Sequence, residues 1–343
     1  MPIENKFLFN FAVSYSSGGY KRLYEYAKWF SEHGGAYFAI HPRCADLIDE
    51  FANNQFFVVK QLRVKRLYDD CAYLEEIGKQ IGRPEFYYSY GIPLYFPFGR
   101  TNWFHLSNVL PINAKGIPLP LSDRLTFYYL GWRIRNGLRN ADVISAESNS
   151  SLGLMGSDAS EKLFLSVNGS DDELMYLREK HAEEKDDVVT VVGTHRYKAL
   201  EDSLRLFKVL KTGNSRLKMI ILGNEKWVPK SFRRIQDVVV RGTIKRPEVI
   251  DCLRRTKVYL STTRVENSYN AASEGIAFAD ESYISDIGPH RELLLNVPFE
   301  SVPIEGIAKP LLHVRRENML GVNLKTWNTV IVEMIARFRE VSP

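Results

Sequence analysis

Glu266 and Glu274 stand with seven residues between them in the stretch Thr263-Arg-Val-Glu-Asn-Ser-Tyr-Asn-Ala-Ala-Ser-Glu-Gly-Ile-Ala277. The apolar run before it, Lys257-Val-Tyr-Leu-Ser261, reads as a buried strand. Asn267 or Ser268 then supplies an N-cap, and residues 269–277 have helix-forming composition, with small side chains that can pack closely on a sheet. A strand that ends in a loop and turns directly into a helix aims backbone N–H groups, and the positive end of the helix dipole, outward, where an anion can bind. Ionised carboxylates accept hydrogen bonds and hydroxyls donate them, so a carboxylate pair beside such a site suits a ligand carrying phosphates and many hydroxyls. An ordinary strand-loop-helix with two solvated glutamates fits these residues equally well.

The same stretch, followed by Tyr283-Ile-Ser-Asp-Ile287 and Pro289-His-Arg-Glu-Leu293, resembles the nucleotide-sugar half of retaining glycosyltransferases of the GT-B architecture. Within these it most resembles glycosyltransferase family 4. The resemblance implies an α/β chain of two Rossmann-like domains whose parallel sheets face a central cleft. It implies that Glu266 contacts donor sugar hydroxyls, that the amides of Ser268, Tyr269 and Asn270 hold the phosphates, and that Glu274 holds the ribose. In that family the chain from about residue 170 to 322 would be the donor domain and residues 1–169 the acceptor domain. The final helix, residues 324–338 within a segment 323–343, would pack back on the first domain.

Composition sets the bounds. A chain of 343 residues favours two domains, since single cores rarely grow beyond ~250–300 residues. Hydrophobic residues at 45% and charged residues at 25% are the balance of a globular protein. The net charge of +5 is mildly basic, but no dense basic run accompanies a nucleic-acid-reading motif, so anionic substrates or an anionic membrane surface explain it as well. Cys44, Cys71 and Cys252 are far apart and odd in number, which is neither a disulfide framework nor zinc spacing and points to a reducing compartment. Residues 6–15 read as a first strand rather than a signal peptide, and no run of ~18 apolar residues exists to span a bilayer.

The elements that must position the glutamates alternate. Strands are expected at residues 7–14, 36–40 and 56–59, with helices at 20–33, carrying Leu23, Tyr26, Ala27 and Phe30 on one face, and at 45–52. Such alternation builds a parallel, helix-covered sheet. Between the first strand and helix, Ser16-Ser-Gly-Gly19 reads as a turn in which Gly18 and Gly19 let the backbone approach a ligand at the carboxyl end of a strand, or simply as a flexible turn. A helix is expected at 70–81, with Asp69-Asp70 a solvated helix start rather than a metal site; the aromatic and proline-rich residues 86–97 carry no clear period. Residues 102–111 read as a buried strand running into a loop, and a His such as His105 beside an apolar run is more often structural. The resemblance implies otherwise, because many family 4 enzymes place a cleft-lining His there, although here Leu106 follows it where the family often has Asp. A long helix over 121–140 combines aromatics with arginines. It reads first as a core helix whose arginines reach solvent, and second as a surface for acidic lipid headgroups. Strands at 141–147 and 161–169 then close the first domain.

The second domain opens with a strand over 187–193, a turn beginning at Gly193, and a helix over 200–210. By resemblance Arg196 and Lys198 on this turn clamp the donor diphosphate, and cationic hydrogen bonds to phosphate are among the strongest available. As a bare sequence the turn could equally be a solvated basic loop. Further strands are expected at 217–224, 238–244 and 257–261, with a helix at 247–255. The resemblance places Asn224, Gly242 and Thr243 near the nucleotide base.

Together these expectations describe a metal-independent hexosyltransferase without a cofactor, using a UDP- or GDP-linked sugar and a glycan or lipid-linked saccharide acceptor. By resemblance it would serve surface polysaccharide or lipopolysaccharide synthesis from the cytoplasm, in possible peripheral contact with the membrane. A GT-B sugar-nucleotide epimerase and a non-catalytic scaffold are the alternatives.

Overall fold

A computed structural model gives the fold and describes residues 6–60, 70–170, 185–316, 322 and 324–342. The chain divides into two compact units, Met1–Ala114 with Pro120–Gly169 and Lys325–Pro343, and Lys115–Leu119 with Ser170–Leu324.

The first unit alternates strand and helix: β1 (Phe7–Phe11), α1 (Ser17–Glu32), β2 (Tyr37–Ile40), α2 (Leu47–Glu50), β3 (Gln55–Val58), α3 (Asp70–Ile81), β4 (Phe86–Tyr90), β5 (Thr101–Leu106), α4 (Leu121–Gly137), β6 (Val143–Ala146), α5 (Asn149–Leu152) and β7 (Leu163–Leu165). Its strands order as β3-β2-β1-β4-β5-β6-β7, and every neighbouring pair is parallel. Both faces of such a sheet are covered, so its central strands are apolar throughout rather than alternating. Phe7, Leu8, Phe9 and Phe11 of β1 are all buried. The stripe Leu23, Tyr26, Ala27 and Phe30 on α1 packs into that core, as its spacing predicts.

Several local expectations are corrected. The first strand ends at Phe11 rather than residue 14, and α2 is a single turn, Leu47–Glu50, preceded by a tight turn over Pro42–Cys44. Gly18 and Gly19 lie within the first turn of α1, not in a loop before it. A Cβ on Gly19 would stand 3.2 Å from both Ser14 and Tyr90, so that glycine lets the helix start lie close to the ends of β1 and β4. The aromatic residues left without a period open with β4, which is buried along its whole length between β1 and β5.

The second unit contains β8 (Asp186–Val192), α6 (Leu200–Gly213), β9 (Lys218–Leu222), β10 (Val238–Gly242), α7 (Arg246–Arg254), β11 (Thr256–Ser261), α8 (Asn270–Phe278), β12 (Glu281–Ser285), α9 (Gly288–Leu293), β13 (Glu300–Val302) and β14 (Leu311–Arg315). Its order is β10-β9-β8-β11-β12-β14-β13. The first five strands are parallel, whereas β14 runs antiparallel to β12 and β13 antiparallel to β14. No helix crosses over between β13 and β14, and without a crossover the return strand must run antiparallel.

The last helix, α10 (Trp327–Val341), belongs to the first unit. Trp327, Ile331, Met334 and Phe338 repeat at helical spacing and are buried, with Phe338 meeting Phe7 and Phe86 at ring-centre distances of 5.2 and 4.7 Å. Thr326 caps the helix by accepting from the Thr329 amide at 3.2 Å.

Helix α8 lies on β11 through Gly275, where a Cβ would come within 2.2 Å of the Tyr259 ring. Overpacking of this kind costs roughly 1–3 kcal/mol. Gly275→Ala is therefore expected to lower the unfolding free energy by that amount and so to lower the urea midpoint, and an unchanged midpoint would show that α8 does not depend on this close approach.

Candidate functional site

Strands β8 and β11 lie side by side and parallel, with Val258 opposite Val189 and Leu260 opposite Val191. β9 extends the sheet beyond β8, and β12 extends it beyond β11. The chain therefore winds away in opposite directions from this pair. Loops at the carboxyl ends of such a pair border the crevice where open α/β sheets hold ligands. Residues 193–199 form the loop after β8 and residues 262–269 the loop after β11, so Lys198 and Glu266 arise on the same edge of one sheet.

The two loops are fastened to each other. The Arg264 amide donates to the Tyr197 carbonyl at 2.7 Å, and Thr262 Oγ1 donates toward the Lys198 and Ala199 carbonyls at 3.1 and 2.9 Å. These bonds hold Ala199 in the left-handed region, at φ 47°, where a residue with a Cβ costs of order 1–3 kcal/mol. Gly193 opens the loop at φ 94°. A Cβ there would stand 2.9 Å from Lys198 Cε, so glycine leaves room for the lysine stem to fold back. Lys198 Nζ donates to Glu266 Oε1, and the two side chains are only 12% and 19% exposed.

Helix α8 begins beside this pair. Tyr269 is its N-cap, one or two positions later than the sequence predicts, and its side chain makes no capping hydrogen bond. Ser268 Oγ accepts from the Asn270 amide at 3.4 Å. The opening amides of the helix have no intrahelical acceptors and carry its positive dipole end. One turn in, Glu274 accepts from Arg246 Nη1 at 2.7 Å, and Arg246 opens α7. Arg246 was not among the sequence candidates, because 28 residues separate the two partners and neither alone marks the pair.

Asn224, Gly242 and Thr243 lie at the carboxyl ends of β9 and β10. Thr194 Oγ1 donates to the Asn224 carbonyl at 2.9 Å, and the Gly223 amide donates to the Gly242 carbonyl at 2.8 Å, so these loops continue the same edge. Arg196 is exposed, its guanidinium 5.9 Å from the centre of the Trp227 ring rather than on a carboxylate. His290 in α9 is a further residue drawn to the site. It is buried, and its pKa is pushed down to about 4 by burial, with the charges of Glu266 and Lys198 also acting on it. Its Nδ1 is 2.8 Å from the Ser285 carbonyl, so Nδ1 carries the proton.

The first unit holds a different constellation. His105 does not line an open surface: it is fully buried, stacked at 5.0 Å on Tyr90. Its Nδ1 lies 2.8 Å from Ser145 Oγ, and its Nε2 lies 3.5 Å from Glu147 Oε1. A carboxylate facing Nε2 favours the tautomer with the proton there, leaving Nδ1 to accept from Ser145. Burial and the nearby Arg22 charge push the His105 pKa down to about 4, so the ring is neutral near pH 7. Burial alone would raise the Glu147 carboxyl, but the His105 hydrogen bond and the Arg22 guanidinium outweigh it and hold it below the usual range. Tyr90 also donates to Glu147, at 3.1 Å. Arg22, wholly buried on α1, reaches Ser166 and Val167 carbonyls at 2.9 Å and Asn168 Oδ1 at 3.2 Å. Its position on the stripe Arg22, Tyr26, Phe30 was a readable signal, since a charge on an apolar stripe must be buried with partners.

No protein-family model matches the chain, and no curated protein matches it in sequence. Solved structures match over nearly its whole length. A glycosyltransferase from Rickettsia africae is similar at 12% identity over 99% of both chains, with a TM-score of 0.66. Sucrose-phosphate synthase from Thermosynechococcus elongatus is similar at 12% identity over 98% of both chains, with a TM-score of 0.68. HepE of Anabaena, in complex with UDP and glucose, is similar at 13% identity over 99% of this chain and 92% of that one, with a TM-score of 0.61. At such identities the likeness is one of fold, and the fold is GT-B, with two Rossmann-like domains.

The two buried histidines set a pH dependence. Their folded values, about 4, lie below the ordinary 6.5, so the unfolded chain binds protons first as pH falls. Stability is full above pH 6.5 and is lost between about 6.5 and 4, by roughly 3 kcal/mol for each ring. Melting temperature is expected to fall across that window and to fall less steeply in His105→Gln. A flat profile would show that these rings titrate in the folded chain as they do in the unfolded one.

Proposed function

We propose that this protein is a retaining glycosyltransferase of the family 4 type, moving a hexose from a UDP- or GDP-linked donor to a glycan or lipid-linked saccharide in surface polysaccharide synthesis. The observation that carries this reading is the Lys198–Glu266 pair, set between the carboxyl ends of β8 and β11 and beside the start of α8. The carboxylate of Glu266 pairs with the Lys198 ammonium. A donor diphosphate, bearing more charge, takes Lys198 and frees Glu266 to accept hydrogen bonds from sugar hydroxyls. Glu274, held by Arg246, is placed to accept from the ribose hydroxyls, and Asn224, Gly242 and Thr243 border the base. The complex of HepE with UDP and glucose, on the same fold, supports a nucleotide-sugar donor.

In the proposed reaction the bond from the anomeric carbon to the diphosphate oxygen breaks, and its electron pair leaves with the diphosphate. Lys198, Arg196 and the α8 amides at Ser268, Tyr269 and Asn270 stabilise that charge as it develops, the electrostatic effect that usually dominates such catalysis. The acceptor hydroxyl bonds to carbon on the face the leaving group vacates, and its proton passes to a departing phosphate oxygen. The cations come from the chain, so the reaction as drawn requires no divalent metal and no cofactor. The first unit is assigned the acceptor, with Gly18 and Gly19 opening α1 at the carboxyl end of β1. His105 has no contact with substrate in this scheme; it positions Glu147 and the residues around it.

Assays with UDP- and GDP-hexoses and a saccharide acceptor test the proposal by nucleoside diphosphate release and by NMR of the new anomeric linkage. Turnover with retention is expected, reduced about 10²–10³-fold in Lys198→Ala. Unchanged turnover in that variant contradicts the assignment of Lys198. A stereoisomer of the donor formed without diphosphate release would instead make the protein an epimerase.

A further inference from the structure

Helix α4 is apolar on two opposite faces. Its inner face is fixed by close packing: Ile134 is buried, and Cβ atoms on Gly131 and Gly137 would come within 2.1 Å of the Pro111 carbonyl oxygen and 2.9 Å of the Leu94 carbonyl oxygen. The opposite face carries Leu121, Leu125, Tyr128 and Trp132, exposed by 73%, 62%, 78% and 50%. Their spacing of four, three and four residues lines them up along one stripe three turns long. An exposed apolar stripe of this size on a globular protein marks an interaction surface.

The charges say what kind. Residues 121–140 contain four arginines, Arg124, Arg133, Arg135 and Arg139, against one acid, Asp123. Arg124, Arg135 and Arg139 are exposed; the first two fall beside the stripe, Arg135 with one nitrogen 3.5 Å from the Ile112 carbonyl, and Arg139 follows in the tight turn that ends the helix. Arg133 turns the other way and lies 4.1 Å from the centre of the Tyr95 ring. Large apolar side chains that include Trp and Tyr, bordered by arginines with almost no acids, are the composition of a helix lying in the headgroup layer of a bilayer. A protein partner would ordinarily be met by mixed charge. Among the described residues no helix is long and apolar enough to cross a membrane, so contact would be along the surface.

We propose that α4 docks the protein on an anionic lipid surface, with Leu121, Leu125, Tyr128 and Trp132 entering the interface and Arg124, Arg135 and Arg139 meeting the lipid phosphates. This inference stands on α4 alone and does not depend on the donor site. The lipid-facing reading, second to a core helix in the sequence, is favoured because Leu121, Leu125, Tyr128 and Trp132 are exposed.

The full chain would be sedimented with vesicles of phosphatidylcholine alone and of phosphatidylcholine with phosphatidylglycerol. Binding is expected at least tenfold tighter to the anionic vesicles. Both Leu125→Glu with Trp132→Glu and Arg124→Glu with Arg139→Glu should weaken it at least tenfold. These side chains are exposed, so each double variant should melt as the wild type does. Absence of vesicle binding, equal binding to both vesicle types, or variants that bind like the wild type would overturn the proposal. So would a concentration-dependent dimer that the Leu125 and Trp132 changes dissolve without any vesicle binding, which would make a second copy the occupant.

Discussion

The parallel pairing of β8 with β11 is the constraint on which the candidate site depends. Its backbone ladder fixes the carboxyl ends of two strands, and hence the starts of two loops, side by side. Lys198 and Glu266, 68 residues apart, can meet only because of that ladder. The loop bonds from Thr262 and Arg264 refine the placement, and the close seat of Gly275 on Tyr259 aims α8 at the same point. The backbone of both loops is thus set by the ladder and the loop hydrogen bonds, while Lys198 and Glu266 hold each other by their side chains.

The first unit solves a different physical problem at the end of its own sheet. Arg22 and Glu147, 3.9 Å apart, are both buried, and taking two charges out of water is costly unless hydrogen bonds surround them. Tyr90 meets the carboxylate, while the Ser166 and Val167 carbonyls meet the guanidinium. His105 completes this network as a neutral ring. The cluster therefore ties α1, β4, β5 and the end of the unit at residues 166–168 together. His105, which the resemblance places against substrate, is a fully buried member of this cluster.

Much of this was legible from sequence. The alternation of elements, the apolar stripe on α1 and the strand-loop-helix around Glu266 are local patterns, and local patterns are what periodicity reports. Strand β4 escaped because prolines and aromatics follow it closely and blur its period. Strands β13 and β14 escaped because they are short, and Glu300 and Ser301 make the first of them polar. Helix α4 was found, but its two apolar faces could not be told apart by composition, since burial depends on which face the sheet takes. Pairings such as Arg246 with Glu274 and Arg22 with Glu147 are properties of the fold and leave no trace in spacing. The exception is the charge of Arg22 on an apolar stripe.

In the proposed reaction Lys198 and the start of α8 hold the diphosphate of a nucleotide-linked donor. Calorimetric titration of UDP and GDP, each beside its monophosphate, tests it most directly. One diphosphate should bind with unit stoichiometry, at least tenfold tighter than its monophosphate, and Lys198→Ala should remove that difference. Equal binding of mono- and diphosphate, or no binding of either nucleotide, would contradict the assignment.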